Sequence, residues 1–433
     1  MAWPDKLKLN KRLIASLTEA GHLVPTEVQS RSLSRINGGQ DLVVVAPDGS
    51  GKTTTYVLAV LNRFRYAFEG VPRVLILVPD KEKVLEVTEQ FERLSQNKSI
   101  LIVGLYAAPG IETQMNALAD GADIVVATPD RARAIYLKLG LNLNKIELFV
   151  VDDADLIVKQ GLQLPVAELA NSITKSQRLV FTSVVHDKLH KMIDPFMKLP
   201  ALVEVDEIGE AKVETFPQVL YHVPNFGTKV NLLNLFMQDD ELFTKAVVFV
   251  NTRQTAETIY KSLRSRLKDA VGILNPWSFE QSGLSSVEDF RNSEVVRVLV
   301  IVNELPDNLQ LTNIPFLIHF ELPEENKIFI DRIVNDGFEN NRDVFAITFA
   351  TDLELTTVKK IEQETGQKIS VAELPEELII EKEKKASSAK KESSKTKDEQ
   401  AGEAFHQKKA SNSKSYNYGA GKKAKMTNKK KHS

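Results

Sequence analysis

The segment "APDGSGKTTT", Ala46 to Thr55, has the residue types and order of a loop that cradles phosphates. Backbone N–H groups over Asp48, Gly49, Ser50 and Gly51 can wrap phosphate oxygens when side chains there are small, and a helix starting beside them adds its N-terminal partial positive charge. Lys52 would then reach the β- and γ-phosphates, the Thr53 hydroxyl would hold Mg²⁺, and Thr54 closes the first turn. The pattern has Ala46 in place of its first glycine. About 100 residues further on, the apolar run "ELFVV" ends in Asp152-Asp153-Ala154-Asp155. A carboxylate at the tip of a buried strand is the usual second anchor for Mg²⁺, which assigns that role to Asp152. Asp153 would orient the attacking water, so Lys52, Asp152 and Asp153 form the candidate catalytic set. The plainer readings are a glycine–serine loop with an exposed lysine and an acidic solvated turn. A strand before and a helix after the loop favour the phosphate reading.

These residues need strands to deliver them. From Asp41 onward, "LVVVA", "RVLILV", "ILIVGL", "ADIVVA", "ELFVV" and "RLVF" alternate with amphipathic stretches such as Lys83 to Leu94. Runs rich in Val, Ile and Leu with little alternation are expected of strands buried on both faces, which implies a doubly wound parallel sheet. The polar stretch "EIGEAKVET" at 207–215 reads as a linker between a domain at 1–206 and a second α/β domain at 216–376, where "VVFVN", "VRVLVIV", "FLIHF" and "VFAITFA" restart the rhythm. The two domains do not read as sequence repeats.

The 433 residues suffice for two domains and a tail. The absence of cysteine excludes a disulfide framework, a thiolate zinc site and cysteine catalysis, and fits a reducing, intracellular setting. No apolar run reaches the roughly 18 residues that span a bilayer. "MAWPDKLKLNKR" lacks the apolar stretch of a secretory signal, so a cytoplasmic protein without membrane contact is expected. The formal charge of -2 conceals an asymmetry: from Lys382 to Ser433 there are 16 lysines against 5 acidic residues, a net +11, leaving -13 on the rest. That tail, within 377–433, is Lys-, Ser- and Ala-rich without apolar periodicity, so disorder is expected. Tyr416 and Tyr418 among its lysines suit phosphate neutralisation with base stacking on single strands. The plainer reading is a solubilising tail with no fixed partner. His186, His190 and His319 show no metal-like grouping.

Together these motifs resemble the DEAD-box RNA helicase family over about residues 9 to 350. The resemblance implies two RecA-like domains in tandem, ATP and Mg²⁺ as ligands, RNA as partner, and a monomer. "GHLVPTEVQ", Gly21 to Gln29, is similar to the adenine-reading Q motif, which makes Gln29 the adenine contact with Pro25 and Thr26 shaping its loop. The aromatic usual upstream is missing from its position, with Trp3 nearby as its substitute. "VPDKEKV" at 78–84 resembles an RNA-contacting motif with Lys81 where arginine is usual, and "ATPDR" at 127–131 would place Thr128 and Arg131 on the RNA backbone. Ala107 and Ala108 stand where a glycine pair is usual. "VVFVNTRQTAE" matches motif IV and adds Thr252 to the RNA contacts. The charged tail makes ribosomal or other ribonucleoprotein components candidate partners.

The departures concentrate in the second domain. Motif III is Thr182-Ser183-Val184, without its last hydroxyl. Motif V reads "IVNELPDNLQ", Ile301 to Gln310, with Asn303, Asp307 and Asn308 for the usual Asp, Arg and Gly. Motif VI reads "DRIVNDGF", Asp331 to Phe338, and puts Asn335 and Phe338 where two arginine fingers belong. One such finger contributes about 10³ to 10⁵ in rate. Arg332, Arg342 and Arg253 are the candidate replacements. Binding of ATP is therefore separable from its turnover. Three readings stay open: a slow RNA-dependent ATPase that remodels RNA, a nucleotide-binding RNA scaffold with little turnover, and an unrelated P-loop ATPase or small-molecule kinase.

Overall fold

The computed structural model describes residues 3, 7–64, 70–108, 110–206, 213–276, 283–303, 309, 311, 313–334 and 344–382. Residues 1–382 form one compact unit, in which two parallel sheets make two lobes. The tail beyond 382, Asn335 to Asp343, and Asp307, Asn308 and Gln310 lie outside the described residues.

The first lobe opens with α1 (Lys11–Glu19) and α2 (Glu27–Asn37), then runs β1 (Leu42–Val45), α3 (Lys52–Arg63), β2 (Val74–Leu77), α4 (Lys81–Leu94), β3 (Ile102–Leu105), α5 (Ile111–Ala119), β4 (Ile124–Ala127) and α6 (Pro129–Leu137). It closes with β5 (Leu148–Val151), α7 (Ala154–Lys159), α8 (Gln163–Ser172), β6 (Gln177–Thr182), α9 (Asp187–Ile193) and β7 (Ala201–Glu204). The strand order is β3-β4-β2-β5-β6-β1-β7. Every residue of β1, β2, β4 and β5 is buried because helices cover both faces. One face packs α1 to α4 through Leu17, Val57, Val84 and Phe91, and the other packs α6 to α9 through Ala132, Ile157, Leu169 and Leu189.

The second lobe comprises β8 (Gln218–His222), α10 (Phe226–Phe236), β9 (Ala246–Val250), α11 (Arg253–Leu267), β10 (Val271–Leu274), β11 (Gly283–Leu284), α12 (Val287–Asn292), β12 (Val298–Val302), β13 (Phe316–His319), α13 (Asn326–Ile333), β14 (Phe345–Ala350), α14 (Leu355–Thr365) and β15 (Ser370–Ala372). Its order is β11-β10-β12-β9-β13-β14-β8-β15, again all parallel.

All ten apolar runs picked out in the sequence form strands. The strands that left no such run lie mainly toward sheet margins, where cover is one-sided. β7 and β15 are edge strands, and β8 is mostly half-exposed. β10 is fully buried, but Gly272 interrupts its apolar signal.

The lobe boundaries also shift. Val213 N–H donates to the Thr365 carbonyl at 2.9 Å and Thr215 bridges Val334, so 213–215 belong with the second lobe. Residues 377–382 lie along α10 rather than in a free tail: the Glu381 N–H donates to Thr228 Oγ1 at 3.1 Å, Asn231 Nδ2 donates to the Ile379 carbonyl at 2.8 Å, and Leu378 packs on the core. No described helix is long and apolar enough to cross a membrane.

Candidate functional site

Three loops leave the carboxyl ends of neighbouring strands β1, β6 and β5, the edge of an open parallel sheet where ligands bind. The loop after β1 turns through Gly49 at φ +80° and Gly51 at φ +93° before α3. At Gly51 an added Cβ would stand 2.8 Å from Gln29 Nε2 and 3.0 Å from Thr26 Oγ1, so glycine is required by both backbone and space. Thr26 caps α2, while Gln29 Oε1 accepts from the Thr26 N–H at 2.9 Å in a capping box. The segment after Pro25 is thus pinned, and Gln29, only 3% exposed, braces the phosphate loop from behind. Trp3 does not offer an open ring face beside it. Its ring is buried in the core, and its Nε1 donates to the His22 carbonyl at 2.8 Å.

Lys52 turns back into its own loop, donating to the carbonyls of Ala46 at 2.8 Å and Pro47 at 3.1 Å and to Asp48 Oδ1 at 3.2 Å. Burial would raise the Asp48 pKa, but Lys52 and Lys360 overcome it and hold the carboxyl below its usual value. Ser50 Oγ donates to the Pro47 carbonyl at 2.7 Å. Thr54 accepts from Gln90 Nε2 at 2.7 Å, which ties the first turn of α3 to α4.

Asp152 is fully buried at the end of β5. Its Oδ2 accepts from Thr53 Oγ1 at 3.1 Å and from the Tyr56 hydroxyl at 2.8 Å. Asp153 follows with φ +47°, left-handed for a non-glycine residue, a conformation that costs about 1–3 kcal/mol. Burial first, then the Asp152 charge, raises the Asp153 pKa to about 7, against the pull of Lys83. Lys83 Nζ stands 3.5 Å from Asp153 Oδ2. Burial would lower the Lys83 pKa, but Asp152 and Asp153 outweigh it and keep the ammonium charged. Burial also raises Asp152 despite Lys83. Burial thus disfavours the charged form of both aspartates in spite of the lysines beside them, and a divalent cation bound there would favour it.

The donor set fits Mg²⁺. Thr53 Oγ1 and Asp152 Oδ2 are hard oxygens already adjacent, as that ion requires when phosphates and water supply its other ligands. Among the described residues no group of three or more His, Asp or Glu could hold a metal alone.

Asp155, unassigned from the sequence, lies in the first turn of α7 and gathers the groups at the end of β6. Its Oδ1 accepts from Thr182 Oγ1 at 2.9 Å and from the Ser183 N–H at 3.2 Å, and its Oδ2 from Ser183 Oγ at 2.7 Å. A further hydroxyl arrives from the other lobe: Thr356 Oγ1 donates to Asp155 Oδ2 at 2.8 Å. The sequence registered the hydroxyl lost at Val184; nothing local to either segment signals one brought from 201 residues away.

The corresponding edge of the second lobe is an amide network. Arg332 Nη1 donates to Asn303 Oδ1 at 2.6 Å, Asn303 Nδ2 donates to Asn251 Oδ1 at 2.5 Å, and the Asn251 N–H donates to Glu321 Oε2 at 2.6 Å. The Arg332 guanidinium lies 4.0 Å from the centre of the Phe249 ring. These contacts anchor Arg332 within the second lobe. Beneath them His319 is fully buried between Phe249 and Phe329, with neither ring nitrogen hydrogen-bonded, and burial drives its pKa well down.

Of the RNA candidates, Lys81 is exposed at the start of α4, with its ammonium 5.7 Å from the centre of the Tyr106 ring. Thr128 is buried at the start of α6. Arg131 is turned inward: Nε donates to the Tyr106 carbonyl and Gln114 Oε1, both at 2.8 Å, and Nη2 donates to the Ala107 carbonyl at 2.9 Å. Thr252 is exposed at the start of α11 and accepts from the Thr255 N–H at 3.1 Å.

Residues 26–192 match the family model described as DEAD/DEAH box helicase. Over 381 residues the chain is 27% identical to the RNA helicase CrhR of Synechocystis, covering 87% of this chain and 75% of that one. It is 24% identical to the ATP-dependent RNA helicase DeaD of Mycobacterium tuberculosis, covering 85% of this chain and 64%, under two thirds, of the relative. Among solved structures, a DEAD box protein from the hyperthermophile Methanococcus jannaschii aligns with TM-score 0.46 at 20% identity, over 84% of this chain and 97% of that one.

Proposed function

The chain is a member of the DEAD-box helicase family, and we propose that it binds ATP with Mg²⁺ in its first lobe and uses that site to remodel RNA at a slow rate of turnover. The convergence of Lys52, Thr53 and Asp152 carries this reading, since Thr53 Oγ1 and Asp152 Oδ2 meet at 3.1 Å across 99 residues of sequence. Lys52 would leave its loop carbonyls for the β- and γ-phosphates, and the N–H groups over 48–54 would hold the phosphate oxygens. Mg²⁺, when bound, neutralises charge on the phosphates. Asp153, next to Asp152 at the carboxyl end of β5, would orient the attacking water. Gln29 serves adenine through the wall it forms behind Gly51.

RNA would cross Lys81 and Thr252, with phosphate contacts added by the lysines of the tail, and ribonucleoprotein components are the natural setting. Arg131 would contact RNA from a side chain that its bonds to the 106–107 loop hold in place. The cysteine-free composition suits a reducing, cytoplasmic setting, and the monomer is what the family resemblance implies. Titration calorimetry with Mg·ATP on the whole chain, beside phosphate release with and without RNA, tests the proposal. Lys52→Ala should weaken ATP binding at least about tenfold, or 1.4 kcal/mol. Equal binding by parent and variant would refute the site.

A further inference from the structure

Helix α14 of the second lobe presents one stripe to the nucleotide face of the first. Thr356 and Lys360 are four residues apart and so share a helix face. Thr356 donates to Asp155 at 2.8 Å, and Lys360 Nζ stands 3.0 Å from Asp48 Oδ2. Just before the helix, Asp352 Oδ1 is 2.8 Å from His222 Nε2, and its Oδ2 is 3.7 Å from His186 Nδ1 of the first lobe. The register of α14 on the first lobe is therefore fixed at more than one point.

Asp48 occupies a position that the phosphate-loop pattern leaves free, and a carboxylate there places negative charge at the mouth of a site for a polyanion. Its two oxygens are divided between the lobes: Lys52 holds Oδ1 at 3.2 Å and Lys360 holds Oδ2 at 3.0 Å. Once Lys52 moves to the phosphates, Asp48 keeps only Lys360 as a described ion-pair partner. Motif VI offers no arginine at 335 or 338 to balance the incoming charge, and Arg332 is anchored on Asn303 and Phe249.

We propose that Lys360 is a positioning residue for nucleotide, a second-lobe cation that neutralises Asp48 so that the phosphate loop accepts a triphosphate. The inference rests on the ATP reading of the first lobe. It makes the lobe contact through α14 part of the binding site.

The test is calorimetric titration of Mg·ATP into the full chain and five variants: Lys360→Ala, Lys360→Arg, Asp48→Asn, Asp48→Asn/Lys360→Ala and Lys52→Ala. Lys360→Ala should weaken binding about twofold to fivefold, the scale of a part-exposed charge pair. The deficit should shrink as salt is raised. Lys360→Arg should bind like the parent. In the Asp48→Asn background, Lys360→Ala should cost nothing further, because the charge it balances is gone. Parental or tighter binding by Lys360→Ala overturns the proposal, tighter binding meaning that α14 is a latch against nucleotide. A deficit that persists undiminished beside Asp48→Asn overturns the route through Asp48. If Lys52→Ala binds like the parent, the fault lies with the ATP reading itself.

Discussion

In the first lobe, β1 runs into a glycine-turned loop and β5 into two buried aspartates. In the second, β9 runs into Asn251 and Thr252 and β12 into Asn303. By strand order β9 and β12 are the counterparts of β2 and β4 rather than of β1 and β5, but all four end on the carboxyl edge of their sheet, and the chemistry there differs. Burial has raised the pKa of both Asp152 and Asp153 against the pull of Lys83 and Lys52. A cation and phosphates bound at that edge would offset the cost of burying those carboxylates. The chain of Arg332, Asn303, Asn251 and Glu321 is satisfied within itself. A closed network rigidifies its lobe but has nothing left over for a ligand. One edge is built to receive and the other to hold still.

Turnover should sharpen this contrast most. With Asn335 and Phe338 in place of two arginines, RNA-stimulated hydrolysis should be at least about 10³-fold slower than that of a relative with both, measured by phosphate release under the same conditions. Asn335→Arg with Phe338→Arg should recover only part of the rate, since Asp307 and Asp336 remain and Asp153 is one methylene shorter than glutamate. Asp153→Glu should therefore help more in the double-arginine background than alone. A family-typical rate in the parent would mean that the second edge contributes to catalysis after all.

RNA affinity comes next. Truncation after Lys382 removes a net +10 from the chain, because the 51 residues beyond it carry 15 lysines and 5 acids. Filter binding across a salt series should show affinity lower by about 10² at low salt and a much shallower slope of log K against log salt. An unchanged slope would move the RNA contacts onto the lobes.

The smallest effect is one of stability and belongs to the second lobe. His319 is neutral and fully buried, and its pKa in the fold is well below its unfolded value near 6.5. The unfolded chain therefore takes up a proton that the folded chain refuses, and stability falls as pH drops below about 6.5, by up to about 1.4 kcal/mol per pH unit. His319→Leu should flatten the thermal midpoint between pH 7.5 and 5.5. An identical pH slope in the variant would place the sensitive group elsewhere, with buried His186 next to examine.

The nucleotide site was legible because its parts are contiguous. Glycines, a lysine and a threonine in that order between a strand and a helix serve little besides phosphate binding, and Asp152 follows directly from the end of an apolar run. The sheets were legible wherever strands are covered on both sides. Tyr56, Lys83 and Asp155 were not, because each acts through a partner on another element. Lys83 reads as an ordinary first-turn lysine on α4 until β5 brings Asp153 beside it. Thr356 and Lys360 read as the polar face of a surface helix. Arg131 was assigned to RNA from its motif, and only the loop at 106–107 reveals its inward role. The sequence tells which residues can carry charge, while the fold decides which of them meet.

The inward turn of Lys52 has a further consequence. Its ammonium is held by the Ala46 and Pro47 carbonyls and by Asp48. The loop is in effect its own competitive inhibitor. The measured dissociation constant is then the intrinsic one divided by the fraction of molecules whose loop has released the lysine. Substitutions that loosen the self-bound loop would tighten binding without adding a contact to the ligand. Differences in ATP affinity between this chain and its relatives would then track how firmly each phosphate loop holds its own lysine.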